Sequence, residues 1–370
     1  MRASARHATR HVSRHPSPTQ ESLMHPPLRL LAPAALVLGA LLSLAACGKK
    51  PAPAPTGGTP SATAPAPKEL RIAVVPKGTT HEFWKSVHAG AVKAERELGG
   101  IKINFRGPEK EDDRDQQVAL IQNLVSSKYD AIVLAPLDDT ALVAPVRMAA
   151  SAKIPVVIID SGLKGDAGKD FISYIATDNF KGGKMAARCL AEAMGKKGTA
   201  LLLRYQEGSA STTLREDGFL EGMKEFPEIK VQDPKRYAGA TRATAQEASE
   251  NLLTAMSTVD GVFCPNESST YGMLLALRSR GMAGKAKLVG FDASQSVVDA
   301  LRAGDVSGLV LQSPMRMGYL GVKTAVEHLR GQKVEPQIDT GVVLITRENM
   351  DTEDSKELLS PDLAKYLGGS

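Results

Sequence analysis

Leu70-Arg71-Ile72-Ala73-Val74-Val75, then Pro76-Lys77-Gly78-Thr79-Thr80-His81, then Glu82-Phe83-Trp84-Lys85-Ser86-Val87-His88-Ala89-Gly90-Ala91: this stretch decides how the chain folds. A β-rich run, a Pro/Gly turn with two Thr and a helix-forming run predict a strand, a loop and a helix. The loop therefore opens at the carboxyl end of a strand, where ligands bind in open α/β sheets. It carries His81, Phe83 and Trp84, the only Trp of the chain. Trp84 also begins the helical stripe Val87, Ala91, Ala94 and Leu98, so core packing and ligand stacking both stay open for it, whereas Phe83 lies off that stripe. His81 reads either as a cleft contact or as a solvated loop residue.

Outward from this unit, strand and helix patterns alternate with regularity. Strands are expected near Ile72, Ile103, 131–134, 155–159 and 172–176, with helices between them such as 116–125. After residue 176 the alternation begins again, with strands near 200–203, Val231, 261–263, 287–289 and 308–311 and a helix over 244–256. Short strands that are apolar throughout indicate parallel sheets covered on both faces. The expected fold class is α/β, in two successive doubly wound parallel-sheet lobes.

Toward the start, residues 1–21 hold Arg, His, Ser and Pro with few apolar side chains. Arg29 and the apolar run 30–46 follow, closing as Leu44-Ala45-Ala46-Cys47. A positive flank, a short apolar core and small residues make a secretory signal over 1–46, shorter than the roughly 20 apolar residues of a membrane span. The ending resembles a bacterial lipobox, with Cys47 as the lipidated residue; Met24 would start a signal of ordinary length. Residues 47–67 then read as that Cys and a Pro/Ala-rich tether. Without residues 1–46 the chain keeps 41 basic and 40 acidic side chains, a net charge near +1. The basic balance of the whole sequence is thus no argument for nucleic acid. Cys189, in a helical pattern, and Cys264, at a strand end, have no metal-ligand spacing and read as buried small apolar residues. Neither a metal nor another cofactor is expected.

Over about 68–350 the chain resembles the periplasmic sugar-binding proteins of the ribose-binding type. The residues that carry the resemblance are Glu82-Phe83-Trp84, Ala135-Pro136-Leu137-Asp138, Ile154-Pro155-Val156-Val157-Ile158-Ile159-Asp160, Asp178-Asn179 with Gly182-Gly183, Arg215-Glu216-Asp217-Gly218-Phe219, Asn266-Glu267, Val289-Gly290-Phe291-Asp292 and Gln312. The resemblance implies a type I periplasmic-binding-protein-like fold with a three-strand hinge. It puts one lobe at 68–176 plus 313–337 and the other at 177–312 plus 338–350, with a final helix over 315–330, a strand over 341–344 and a peripheral tail at 351–370.

A sugar offers hydroxyls that both donate and accept, and flat C–H faces, so its site needs charged or amide groups and aromatic rings. The resemblance supplies that set as His81, Phe83, Trp84, Asp160, Arg215, Asn266, Asp292 and Gln312. Asp160 and Asp292 follow strands and can accept hydroxyls, Arg215 donates as a planar fork, and Asn266 and Gln312 do both. Bland readings stand beside these: an Asp after a strand often caps the next helix, as do Asp138, Asp178, Asn179 and Asn266 here, and Arg215 fits a surface ion pair. Relatives of the ribose type have Arg after the Asp of the fourth strand; Ser161 stands there, so one charged donor is missing. Lys77, Thr79 and Thr80 depart from the usual loop, and no aromatic residue near Val231 can be placed in the site, Tyr237 being the nearest.

The expected protein is a monomeric, lipid-anchored solute-binding protein of the periplasm or the outer face of the cytoplasmic membrane, passing a sugar-like ligand to ABC permease subunits. The alternatives are the same fold serving a chemoreceptor or membrane kinase, or binding a non-sugar small molecule. No nucleophile elbow, zinc, phosphate-loop or dinucleotide pattern marks an enzyme, although Asp160 and Asp292 could be imagined as a glycosidase pair. An export signal occupies the place of a DNA-binding helix-turn-helix.

Overall fold

Alternate side chains of β1 (Leu70–Val75) enter two different cores in the computed structural model, which describes residues 69–368. Ile72 and Val74 join one cluster with Trp84, Val87 and Val322, while Ala73 and Val75 join another with Ile121, Leu124 and Val146. A strand apolar on both faces is thereby covered on both. The signal region, Cys47 and the tether lie outside the described residues.

From β1 the chain runs through α1 (Glu82–Leu98), β2 (Ile101–Phe105), α2 (Arg114–Ser126), β3 (Ala131–Leu134), α3 (Val143–Ser151), β4 (Val156–Ile159) and β5 (Ser173–Ala176). A second series follows: α4 (Asn179–Ala193), β6 (Gly198–Leu202), α5 (Ala210–Met223), β7 (Ile229–Gln232), α6 (Arg242–Ala255), β8 (Gly261–Phe263), α7 (Glu267–Ser279), β9 (Lys287–Phe291), α8 (Gln295–Ala303) and β10 (Gly308–Leu311). The chain ends through α9 (Pro314–Leu329), β11 (Gln337–Asp339), β12 (Val343–Ile345), α10 (Glu353–Leu359) and α11 (Ala364–Leu367).

Among the described residues the strands form two six-stranded sheets, β11-β5-β4-β3-β1-β2 and β12-β10-β9-β8-β6-β7. Every pairing is parallel except β10 with β12. Strand for strand, the second sheet repeats the first: β6 stands where β1 stands, and β9 where β4 does. The helices repeat as well. A Cβ on Gly90 of α1 would overlap the Met315 carbonyl of α9, and one on Gly318 the Val87 carbonyl; Gly218 of α5 and Gly183 of α4 face each other's backbones in the same way. Glycine is what lets each helix pair approach this closely.

α9 returns to the first sheet, where Val322, Ala325 and Val326 join its core. Two features differ from the sequence reading. β11 was not expected, because it is three residues long, with one apolar side chain, Ile338, between the exposed Gln337 and Asp339, too short for an alternation to be read, and it pairs only along one sheet edge. It keeps the chain on the first sheet to Asp339, two residues beyond the expected boundary, and the expected strand 341–344 forms slightly later, as β12. The end of the chain is also not peripheral. Leu358 and Leu359 pack on the second-lobe core, and Arg96 of α1 donates to the carbonyls of Lys365 and Tyr366, both at 2.8 Å. Helices this short give too few turns for an apolar stripe to be read.

Candidate functional site

The two strands at equivalent places end in the same way. Asp160 after β4 has φ 62° and Asp292 after β9 has φ 66°. This left-handed region costs most residues about 1–2 kcal/mol, and Asp is among the few that tolerate it. Each chain leaves its extended strand within one residue, and both carboxylates line a cleft at the carboxyl ends of the two sheets.

The second-lobe side of the cleft is held from within. Arg215 Nε donates to Asn179 Oδ1 at 2.8 Å and Nη1 to the Pro265 carbonyl at 2.9 Å, and the guanidinium lies 3.8 Å from the centre of the Phe291 ring. Asp292 Oδ2 is 3.6 Å from Arg215 Nη1, and its Oδ1 accepts from Gln312 Nε2 at 2.7 Å. Burial still outweighs Arg215 and Gln312, pushing the Asp292 carboxyl up to about 6. Asn266 caps α7, accepting from Ser269 N at 3.2 Å, and lines the same cleft. Asp178 caps α4 through Lys181 N at 2.9 Å. Asn179, in contrast to its expected capping role, uses its amide to fix Arg215.

The first-lobe side is built around a carboxylate that the sequence did not single out. Glu111 accepts from Trp84 Nε1 at 2.7 Å, sits 2.9 Å from His81 Nδ1 and accepts from Tyr205 Oη of the second lobe at 2.9 Å. Burial alone would raise its pKa, but the hydrogen bond and charge of His81, with Lys77 and Trp84, bring it to about 2. Burial likewise pulls the His81 imidazole down, and Glu111, aided by Glu267, outweighs it and raises the pKa. Trp84 is 2% exposed, a core residue that also lines the cleft, and Phe83 meets it edge to face at 4.9 Å. The core-packing reading of Trp84 therefore holds, at the edge of the cleft.

Lys77 answers the missing donor. Its Nζ lies 2.9 Å from Asp160 Oδ2 and donates to Ser211 Oγ of the second lobe at 3.0 Å. The cation absent after Asp160 thus enters from the loop after β1. Ser161 accepts from Ser211 N at 3.2 Å. With Gln206 Nε2 on the Glu111 carbonyl at 3.0 Å and Arg114 Nη2 on the Glu207 carbonyl at 2.8 Å, these bonds hold the lobes closed on each other.

All eight expected residues, His81, Phe83, Trp84, Asp160, Arg215, Asn266, Asp292 and Gln312, line this one cleft. So do Lys77, Glu111, Tyr205 and Glu267, which the sequence reading had not placed there. Tyr237 does not: it is 46% exposed on the second lobe's surface. The tyrosine of the cleft is Tyr205, in the loop after β6 that corresponds to the Lys77 loop after β1. Glu111 had no such signal, sitting in the run Glu109-Lys110-Glu111-Asp112-Asp113 that reads as a solvated surface. Asp138 lies outside the cleft's lining and binds Thr140 N and Ala141 N at 2.9 and 2.8 Å.

Residues 72–333 match the family model for the periplasmic binding protein domain. The ribose import binding protein of Salmonella typhimurium is 29% identical over 279 residues, which cover 75% of this chain and 90% of that protein. An ABC transporter solute binding protein from Agrobacterium vitis with bound D-fucose superposes with a TM-score of 0.75 at 36% identity, covering 78% of this chain and 99% of that one. A carbohydrate transporter solute binding protein from Agrobacterium radiobacter in complex with D-arabinose gives 0.74 at 35% identity, covering 79% and 99%. In sequence and in the arrangement of its two sheets, this chain belongs to the periplasmic binding protein domain family.

Proposed function

We propose that this protein captures a sugar in the cleft between its lobes and delivers it to an ABC importer from the periplasmic side of the membrane. One observation carries the reading: acceptors and donors from both lobes, Asp160 and Lys77 from one and Asp292, Arg215, Asn266 and Gln312 from the other, converge beside Phe83 and Trp84. Carboxylates and a guanidinium take hydroxyls, and aromatic rings take the C–H faces. The sugars bound by the relatives support the same class.

In this closed arrangement the cleft holds about 30 Å³ of free space, roughly the share of one water. A sugar ring therefore enters only when the lobes part. Bound groups on both sides then favour the closed form over the open one by their differential contacts, a population shift about the hinge. Asp160 and Asp292 are each engaged with a cation of their own lobe, which leaves them suited to accept from sugar hydroxyls. Lipidation at Cys47 would tether a monomer to the membrane surface.

Thermal-shift measurement against pentoses, hexoses, polyols, nucleosides and amino acids, after refolding to strip carried-over ligand, tests the class. Ligand at 100 times its dissociation constant should stabilise by about 2.7 kcal/mol. Stabilisation confined to sugars or polyols is expected; stabilisation by amino acids or nucleosides alone would overturn the sugar reading.

A further inference from the structure

Beside the cleft lies a second cavity of about 640 Å³, within the range of small-molecule sites. Glu82, Phe83, Asp292 and Gln312 line both spaces, so cleft and chamber meet along these four side chains. The far walls are α8, through Gln295 and Ser296, and the terminal segment 358–364. That segment is fixed at both ends, by Leu358 and Leu359 on the second-lobe core and by Arg96 on the carbonyls of Lys365 and Tyr366. The chamber is thus walled by an anchored strap.

Two observations mark the chamber and its junction with the cleft as a polar surface made for a ligand. Arg242 and Ser294, both lining the chamber, are held by the buried Glu267 carboxylate, which accepts from Ser294 Oγ at 2.7 Å and pairs with Arg242. At the junction, Gln312 is 4% exposed and donates Nε2 to Asp292, while its Oε1 is one of three buried side-chain atoms without a hydrogen-bond partner among the described residues. A buried acceptor left unpaired is costly, and a hydroxyl or amide donor admitted beside Gln312 when the lobes part would satisfy it.

Building on the sugar-binding reading above, we propose that the chamber is a second subsite and that the ligand is an extended sugar, a glycoside or a disaccharide. Its first ring occupies the cleft and its linkage passes between Phe83 and Gln312. The second ring or aglycone lies against Arg242, Ser294 and the strap.

Titration calorimetry on the purified protein compares the monosaccharide that binds with its α- and β-linked 4-nitrophenyl glycosides and with disaccharides carrying the same ring. At least one extended sugar should bind tenfold or more tightly than the monosaccharide. Ser296→Trp and, from the opposite wall, Ala364→Trp fill the chamber without touching the cleft. Each should remove that gain and leave the monosaccharide's affinity within about twofold. Binding of the monosaccharide with every extended sugar excluded or no tighter overturns the proposal alone, as does an extended sugar whose affinity survives both substitutions. Failure of all sugars to bind overturns it together with the reading on which it rests.

Discussion

The two halves of the cleft use the same scaffold and stabilise their charges differently. Asp160 and Asp292 end equivalent strands in the same left-handed conformation, each beside a cation. On the second lobe the cation is Arg215, locked by Asn179, the Pro265 carbonyl and the Phe291 ring of its own lobe. On the first it is Lys77, a flexible point charge that also reaches Ser211 across the gap. Glu111 likewise is bridged from the other side by Tyr205 and Gln206. The second lobe is therefore a preorganised platform, and the first carries the bonds that form only on closure. Rigid groups fix which hydroxyls are accepted, while bonds made across the gap tie occupancy to shape.

Arg215→Ala gives the largest expected effect. It strands the buried Asp292 and removes the partner of Asn179, so it should cost about 3–5 kcal/mol of stability in denaturant unfolding and abolish sugar binding. Lys77→Ala should weaken binding with a smaller loss of stability, because opening returns Asp160 to water. Equal losses for the two would erase the distinction between the lobes.

Tyr205→Phe isolates closure. Glu111 keeps His81 and Trp84 in the first lobe, so only the closed form loses a bond. A hydrogen bond to a charged group contributes about 1.5–3 kcal/mol, or roughly ten- to a hundredfold in affinity. Distance labels on the two lobes should report a more open protein with unfolding little changed. An unaltered lobe distance would mean that the Tyr205–Glu111 bridge does not hold the closed form.

Acid acts by less, on Asp292 of the platform after His81 of the first lobe, whose pKa Glu111 raises, has already taken up its proton. Asp292 ionises only above about 6 because burial, with Asp160 and Glu267 nearby, outweighs Arg215 and Gln312. Sugar hydroxyls donate to the ionised form, so ligand lowers this pKa and binding near pH 6 releases protons. Affinity should hold above pH 7 and fall by up to about tenfold per pH unit below 6. Glu111, at about 2, stays charged throughout that window. Calorimetry from pH 8 to 5 in buffers of different ionisation heat would show it, and a flat profile would remove Asp292 from the site.

Much of this was legible because local patterns repeat. Apolar runs four to six residues long, such as 131–134 and 308–311, fixed parallel strands in both sheets, and Asp160 and Asp292 stood out by following two of them. Asn266 was readable as a cap, and it is one. Glu111 was hidden in a charged run, Tyr205 in a loop that nothing in the sequence marked, and Lys77 in a loop whose departure from the expected pattern was visible but whose meaning was not.

The sequence by itself determined the two α/β repeats, the strand ends at which a ligand would meet the protein and the residue types gathered there, since periodicity and turn chemistry act over a few residues. Only the tertiary structure decided that Lys77 replaces the charge missing at Ser161, that Glu111 joins the lobes, that Asn179 serves Arg215 and not a helix end, and that the last residues strap one lobe to the other. Those outcomes depend on pairings between residues far apart in the chain, such as Lys77 with Asp160 and Arg96 with Tyr366. Burial makes the Lys77–Asp160 pairing obligatory, and only the packed fold says which groups are buried together.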